Sequence, residues 1–430
     1  MHRYILVLLL ISSAAIVDAQ TAGAHNMQIG VDADNWSGQT MSPAFADSLR
    51  KMKIDFISWH ILPEEEADSR RLQSIVQFCH KNHWHYLFNT EIANYRRDDP
   101  RFRHPDGTFR YDVSVQTLSD LRNDPLFVGV VYDEADLMQA LLGEKDDKGK
   151  TIEPALVNTQ KMSASEAFFA VAEKVDELKR RYKAYGKSVI FEMTFPDYPF
   201  AFARGGATLA PKLLKENFND LMYSVYRGAS LEYHSKELWA CVDLWFLDKF
   251  PFDGKYEPGD HTPIQLLETL KYAFAAGFDD VYVEQVKALM DHEYALSDYG
   301  RQVVAFQEWR ELKKQGNWRT APIQYYIKRF PDGNWGQEYS TFIPDHPYGS
   351  WEENPYKSLD STWHRTLNEL SHGNIPSDAE TWNAQLSPHF RGRPYQTMSG
   401  LPPIVVFDQL GVVPAHTTAA VLDLTGKMSH

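Results

Sequence analysis

Cysteine is scarce in this chain, which has only two, Cys79 and Cys241, in 430 residues. Two cysteines cannot form a disulfide scaffold or the ligand cluster of a structural zinc site, and no His-x-x-x-His spacing offers another metal site. Cys79 falls on a predicted helix and Cys241 in a predicted strand. We therefore expect two buried thiols rather than a disulfide, and we predict neither a metal nor a cofactor.

Basic residues are also few, with 44 Lys and Arg against 58 Asp and Glu, which gives a formal net charge of -14. Such a charge repels phosphates, so nucleic acid is excluded as a partner. The chain has no G-x-S-x-G elbow and no glycine-rich phosphate loop. Serine-nucleophile hydrolysis and nucleotide binding are therefore not indicated.

Long apolar runs are absent except at the N-terminus. There His2-Arg3 precedes an apolar run from Tyr4 to Ile11, and small residues lead to Val17-Asp18-Ala19. This order is typical of a secretory signal peptide, and the run is too short to span a bilayer. We predict a signal peptide over residues 1–19, no membrane anchor, and a secreted or periplasmic protein. The oligomeric state stays open.

Predicted strands and helices alternate from residue 27 onwards, which is the pattern of a parallel α/β fold. Eight segments are predicted as strands: 27–32, 55–60, 85–89, 127–132, 188–193, 238–245, 280–284 and 323–329. The count predicts an α/β protein with a (β/α)8 TIM barrel, long βα loops, and a C-terminal extension or small α/β subdomain. Residues 27–322 would hold strands one to seven with their helices. Residues 323–430 would hold the eighth strand, an aromatic loop, and the extension or small accessory α/β domain.

Two carboxylates stand where these predicted strands end. Glu134 closes the run Val128 to Asp133, and Glu284 closes Asp280 to Val283. Catalytic groups of a barrel gather at the C-terminal ends of its strands. The like charge of the neighbouring Asp133 favours keeping one carboxyl protonated. Paired carboxylates across a barrel mouth are typical of retaining glycoside hydrolysis.

In these features the chain resembles the retaining glycoside hydrolases of clan A. Those enzymes are barrels whose acid/base Glu ends strand four and whose nucleophile Glu ends strand seven. The resemblance covers about residues 27–330, and it implies that Glu134 is the acid/base and Glu284 the nucleophile. One position departs from the pattern. The clan usually has Asn directly before the acid/base, where this chain has Asp133.

Further polar and aromatic residues lie near the predicted strand ends. Carboxylates and amides bind vicinal hydroxyls, and indoles cover the apolar face of a sugar ring, so these residues predict an oligosaccharide or polysaccharide substrate. The predicted substrate-binding residues are Asp32, Trp36, Trp59, His60, Asn89, Glu91, Asp133, Glu192, Asp243, Trp245 and Trp335. The pairs Trp59-His60 and Asp243-x-Trp245 are the strongest of them.

Three other interpretations remain open. Asp133 and Glu134 are an adjacent acidic pair of the kind that supports substrate-assisted cleavage of N-acetylhexosaminides. Asp133 and Asp243 are alternatively nucleophile and acid. The chain is otherwise a carbohydrate-binding protein that has lost catalysis. The sugar, the linkage and its anomer, and the choice of endo or exo cleavage are not given by the sequence.

Overall fold

A computed structural model gives the architecture of the protein. It describes residues 26–33, 41–61, 69–90, 112–140, 156–159, 162, 164–194, 198–214, 219–244, 261–315, 325–328, 405–408 and 420–423. The predicted signal peptide, Trp36, Glu91, Trp245 and Trp335 lie outside these ranges, so they stay predictions.

Eight parallel strands form a closed barrel. The strands are β1 (Gln28–Ala33), β2 (Phe56–His60), β3 (His85–Asn89), β4 (Phe127–Tyr132), β5 (Ser188–Met193), β6 (Thr208–Leu213), β7 (Trp239–Val242) and β8 (Asp280–Val283). Each strand pairs with its successor in the chain, and β8 pairs with β1, with Gln28 opposite Asp280 and Val31 opposite Val283. The predicted (β/α)8 fold is therefore confirmed.

Ten helices are described along the same part of the chain. They are α1 (Pro43–Lys51), α2 (Arg70–Asn82), α3 (Val115–Asp120), α4 (Ala135–Ala140), α5 (Ala164–Lys183), α6 (Pro199–Arg204), α7 (Asn219–Glu232), α8 (Pro263–Ala276), α9 (Val286–Leu289) and α10 (Asp298–Gln315). None of the helices that the structure describes has the length and apolar character needed to cross a bilayer.

The strand count from the sequence is wrong at one point. It missed β6, so the strands ending near Asp243 and Glu284 are the seventh and eighth rather than the sixth and seventh. The physical reason is Pro211, which lacks an N–H donor and argues against a central strand. The structure accommodates Pro211 opposite Met193 of β5, while β6 pairs with β7 only through Lys212–Cys241 and Leu213–Val242.

The segment predicted as the eighth strand belongs to a different sheet. β9 (Tyr325–Lys328) lies between β10 (Val405–Asp408) and β11 (Ala420–Asp423) in a parallel three-stranded sheet. The barrel closes without it because β6 supplies the missing strand. The sequence also predicts a strand over residues 403–410, and β10 lies within that segment.

Helix boundaries follow the capping residues of the sequence. The Ser42 side chain accepts a hydrogen bond from the Phe45 N–H, and Pro43 begins α1 at a position where its missing N–H costs nothing. Helix α8 begins after a capping box of Thr262 and Gln265, and it ends at Gly277, whose φ of 84° is left-handed.

Two apolar layers enclose the strands. Outward-facing strand residues pack against the helices in one large buried cluster. The barrel interior holds a second, smaller cluster: Phe56, Leu87, Val131, Ile190, Ala210, Trp239, Cys241 and Tyr282. Cys79 and Cys241 are both buried and free, as expected. At Gly129 an added Cβ would lie 1.9 Å from the Ser188 carbonyl oxygen, so only glycine permits this approach of β4 to β5.

Candidate active site

The inner face of the barrel changes from apolar to polar at the C-terminal ends of the strands. Side chains alternate between the two faces of a strand, so the residue two positions after an inward apolar residue also faces inward. Each of the eight strands places one polar side chain here: Asp32, His60, Asn89, Asp133, Glu192, Lys212, Asp243 and Glu284. We call this ring the mouth layer. Main-chain hydrogen bonds from Asp243 to Leu213 and from Glu284 to Val242 continue the sheet to its last members.

Lys212 lies at the centre of this layer, and its side chain is fully buried. Its Nζ donates hydrogen bonds to Glu284 Oε2 at 2.9 Å and to Asp243 Oδ2 at 3.3 Å. Three further carboxylates lie within ion-pair distance of the same nitrogen: Glu192 at 2.6 Å, Asp133 at 3.3 Å and Glu134 at 3.3 Å. One ammonium therefore pairs with five carboxylates.

Glu134 is not part of the alternating ring, because it follows Asp133 directly. Its φ of 52° is in the left-handed region, which is uncommon for a residue with a side chain. This backbone conformation lies between β4 and α4, and it accompanies the approach of the Glu134 carboxylate to Lys212. In an extended conformation the Glu134 side chain would point outward, on the face opposite to Asp133. The left-handed conformation instead brings its carboxylate to the mouth layer.

The five carboxylates differ in how far solvent reaches them. Asp133, Glu192 and Asp243 have side chains that are 1%, 0% and 0% exposed. Glu134 and Glu284 are 8% and 6% exposed. These two are the most exposed members of the cluster.

Burial and neighbouring charges set the protonation of this cluster. Burial raises the pKa of Glu192 well above its ordinary value, and the negative charge of Asp133 adds to the rise. Tyr282 donates its hydroxyl to Glu192. Burial would also raise the pKa of Asp133, but the Lys212 ammonium lowers it below its ordinary value. This environment therefore favours the protonated form of Glu192 and the ionised form of Asp133.

The pKa of Lys212 is raised well above its ordinary value. Burial acts to lower it, but Asp133, Glu192, Glu284 and Asp243 together outweigh the burial. A lysine that attacks a carbonyl must be a neutral amine, and this environment keeps the amine protonated. Lys212 is therefore a cation at the centre of the site and not a nucleophile.

One side of the mouth layer also groups atoms of the type that bind metals. Ligand atoms of Glu192, Cys241 and Glu284 lie within 4.8 Å of one another. The Lys212 ammonium is already 2.6 Å from Glu192 and 2.9 Å from Glu284, and burial raises the pKa of the Cys241 thiol well above its ordinary value. Because the thiol stays protonated and the Lys212 ammonium already pairs with both glutamates, we interpret this group as an ion-pair centre.

On the other side of the mouth, short polar contacts connect the predicted binding residues to one another. His60 Nε2 lies 2.7 Å from Asp32 Oδ1, and both side chains are almost fully buried. Burial raises the pKa of Asp32 although His60 opposes the rise. The Asn89 side chain donates to Asp133 Oδ2 at 2.8 Å. The clan A pattern has an asparagine where this chain has Asp133. Here the amide that contacts the Asp133 carboxylate comes from Asn89 of β3.

The structure therefore brings together Glu134 and Glu284 with Asp32, His60, Asn89, Asp133, Glu192 and Asp243. It removes Trp59, which faces the helices and packs edge-on against Phe45 and Phe78. Trp59 alternates with the inward-facing Ser58 and His60, so the strand period alone would have placed it outside. Lys212 was missed because its strand was missed.

No family model matches the chain, and no curated protein matches it. Several solved barrels are similar in fold. The β-galactosidase from Rahnella sp. R3 is 9% identical, with 80% of this chain and 64% of that one covered and a TM-score of 0.47. The catalytic mutant of Gan42B, a GH42 β-galactosidase from G. stearothermophilus, is 9% identical. The match covers 82% of this chain and 65% of that one, with a TM-score of 0.45.

The catalytic domain of β-amylase from Paenibacillus polymyxa is 6% identical, covers 66% of this chain and 98% of its own, and has a TM-score of 0.41. The chain spans a little under two thirds of the length of both galactosidases, 64% and 65%. At such identities a shared barrel does not choose a reaction. The strand position of Glu284 also differs from the clan A pattern, because it follows β8, and Asp243 follows β7.

Proposed function

We propose that this protein is a glycoside hydrolase that cleaves O-glycosidic bonds with retention, using Glu134 as acid/base and Glu284 as nucleophile. The observation that carries the proposal is the exposure gradient of the mouth layer. Of five carboxylates on one ammonium, these two alone exceed 1% exposure. They are the carboxylates that a sugar entering the mouth contacts.

The geometry suits a double displacement. Glu134 Oε1 and Glu284 Oε2 lie 3.3 and 2.9 Å from Lys212 Nζ, so the two oxygens are separated by no more than the sum of these distances, which is below about 6.5 Å. Retaining enzymes hold their carboxyl groups about 5–5.5 Å apart, and inverting enzymes about 6.5–9.5 Å apart. The upper limit set by Lys212 favours the retaining arrangement.

The two carboxylates take complementary steps. Glu134 gives its proton to the glycosidic oxygen while Glu284 attacks the anomeric carbon, which breaks the bond to the leaving alcohol and forms a glycosyl ester on Glu284. Glu134, now ionised, then takes a proton from water, and the water oxygen attacks the same carbon and releases Glu284. The hydrogen bonds of Glu284 with Lys212 and Cys241 stabilise the carboxylate that must be ionised at the start.

The experiment compares Glu134→Gln and Glu284→Gln on aryl glycosides with good and poor leaving groups. We expect Glu284→Gln to lose about 10³-fold or more in kcat on every substrate. Glu134→Gln should lose as much on poor leaving groups but keep much more activity on 2,4-dinitrophenyl glycosides, because a good leaving group needs little protonation. Glu173→Gln on the outer helix α5 is the matched control. Wild-type activity in either site variant would overturn the proposal, and inverted product stereochemistry would overturn its retaining mechanism.

A second candidate pair is Asp133 and Asp243. It is favoured by the position of Asp243 directly after β7, the strand that carries the clan A nucleophile. Both side chains are almost fully buried, which opposes direct contact with a sugar. Loss of hydrolysis in Asp133→Asn and Asp243→Asn, with activity kept in both glutamine variants, would select this pair. The adjacent pair Asp133 and Glu134 predicts activity only on N-acetylhexosaminides, and a binding protein predicts glycan retention without release of reducing ends.

Export is part of the same proposal. Cleavage of the predicted signal peptide would leave a mature chain that starts at Gln20. The intact mass of the protein recovered from the exported fraction of its host tests this directly. A chain retained inside the cell with Met1 intact would contradict it.

A further inference from the structure

The mouth layer contains a cation, the Lys212 ammonium, that takes no chemical step in the double displacement. Lys212 neither donates the proton nor attacks the sugar in that scheme. Yet its Nζ lies within 3.3 Å of every carboxylate in the cluster, including both members of the catalytic pair. Its fully buried side chain and its position on β6 give it no surface role.

An ammonium has three N–H donors, and here five carboxylates surround it. It cannot hydrogen-bond to all of them at once. Glu284 is closer, at 2.9 Å with a hydrogen bond, whereas the Glu134 oxygen lies at 3.3 Å. The cation therefore lies closer to the residue proposed as the nucleophile, which must be a carboxylate to attack the sugar.

We infer that Lys212 is the positioning residue of this site, which gathers Glu134 and Glu284 around one point and stabilises the carboxylate form of Glu284. The inference rests on the proposed function for its meaning in catalysis. The ionic part of it, in which one ammonium holds the carboxylates of the cluster together, concerns the folded protein whether or not it hydrolyses sugars.

The physical reason is the cost of burying like charges. Without the ammonium, neighbouring buried carboxylates repel one another and lose solvation, so their pKa values rise and protons bind. A carboxyl whose folded pKa exceeds its unfolded value binds more protons in the folded state. Stability then falls as pH rises through the interval between the two values. Removal of Lys212 should thus make the fall of stability with rising pH steeper than it is in wild type.

The test compares Lys212→Met with Lys187→Met, the same substitution at a second buried lysine of the barrel. Lys187 lies at the opposite end of the strands and donates to the main-chain oxygens of Asp124 and Phe127. We expect Lys212→Met to lose stability more steeply than wild type between pH 5 and 8. Its kcat/KM profile should shift upward by at least one pH unit. Lys187→Met should lower the melting temperature by a similar amount at every pH and leave the profile in place.

Lys212→Arg restores the charge, and it should return the pH slope toward wild type. A Lys212→Met variant with the control's slope and an unshifted profile would overturn the inference. If Lys212→Met does not fold, ¹³C-carboxyl NMR of glutamate-labelled wild type gives the answer, with Glu134→Gln and Glu284→Gln to assign the signals. The Glu284 signal should be that of a carboxylate at pH 7, and a protonated Glu284 there would overturn the inference. A changed slope with no hydrolysis by wild type would sink the proposed function and leave the positioning role standing.

Discussion

Two buried lysines at opposite ends of the barrel show how differently one side chain can be used. Lys187, at the N-terminal end of β5, donates to the main-chain oxygens of Asp124 and Phe127 at 2.7 and 2.8 Å. Burial lowers its pKa, and Asp124 opposes the change. Lys212, near the C-terminal end of β6, pairs with carboxylates from β4, β5, β7 and β8, and its pKa is raised.

The difference separates a structural end of the barrel from the end that carries the candidate site. Lys187 donates a separate hydrogen bond to each of its two main-chain partners, and these bonds hold the start of β5 to the start of β4. Around Lys212 the carboxylates outnumber the cations. This excess costs free energy of folding, a cost that is typical of functional sites. In TIM barrels the C-terminal end carries chemistry and the N-terminal end carries stability. The two lysines give that general rule an electrostatic form in this chain.

The largest effect on stability should come from Asp124→Asn at the structural end. Asp124 Oδ2 accepts from the Tyr86 hydroxyl at 2.6 Å and from His80 Nε2 at 2.8 Å. An amide nitrogen in that place meets both groups as a donor, so the buried Tyr86 hydroxyl loses its acceptor at a cost of about 1–3 kcal/mol. Urea unfolding at pH 7 measures the change. A variant as stable as wild type would contradict the assignment of this end to stability.

The pH dependence of the same loss has a defined sign. Burial acts to raise the pKa of Asp124, but the hydrogen bonds from Tyr86 and His80 lower it below its ordinary value. A carboxyl with a depressed folded pKa contributes stability above its unfolded pKa, and this contribution is lost as pH falls through the folded value. The difference between wild type and Asp124→Asn should therefore shrink below about pH 4.

Most of the barrel and part of the candidate site were predictable from the sequence. The part that was not predictable, the strand of Lys212 and its ion pairs, was missed for a physical reason. Seven of the eight barrel strands, the helix starts at Ser42 and Thr262, and the cluster of Glu134 with Glu284 follow from local pattern. Lys212 does not, because Pro211 hides its strand and a buried lysine looks like any surface lysine in sequence. Its partners come from four other strands, and no local pattern brings them together. Trp59 was misplaced although the strand period of two assigns it to the outer face.

An intermediate effect should come from Asp280→Asn, on the side of the structural end away from Lys187. Burial raises the pKa of Asp280 to about 7, and the charges of Glu237, Asp279 and Asp55 add to it. The folded state then holds a proton that the unfolded state has lost, so stability falls as pH rises from about 4 to 7. Asparagine removes this penalty. We expect a gain of about 1–2 kcal/mol at pH 8 that vanishes below pH 4. Calorimetric melting at several pH values measures it, and a pH-independent difference would refute the shift.

The smallest effect and the sharpest contrast should come from Asp243→Asn in the mouth layer, since the same substitution lowers stability at Asp124. Asp243 Oδ2 accepts from Lys212 at 3.3 Å, and the asparagine oxygen can still accept there. The exchange removes one negative charge from the group of carboxylates around a single cation while keeping the shape of the side chain. We expect a gain of about 1 kcal/mol at pH 7, as is common where excess charge at a site is relieved. Urea unfolding beside Asp124→Asn gives the comparison in one experiment. If both substitutions destabilise the protein equally, the mouth layer carries no excess of negative charge, and the two ends of the barrel do not differ in the way that their lysines indicate.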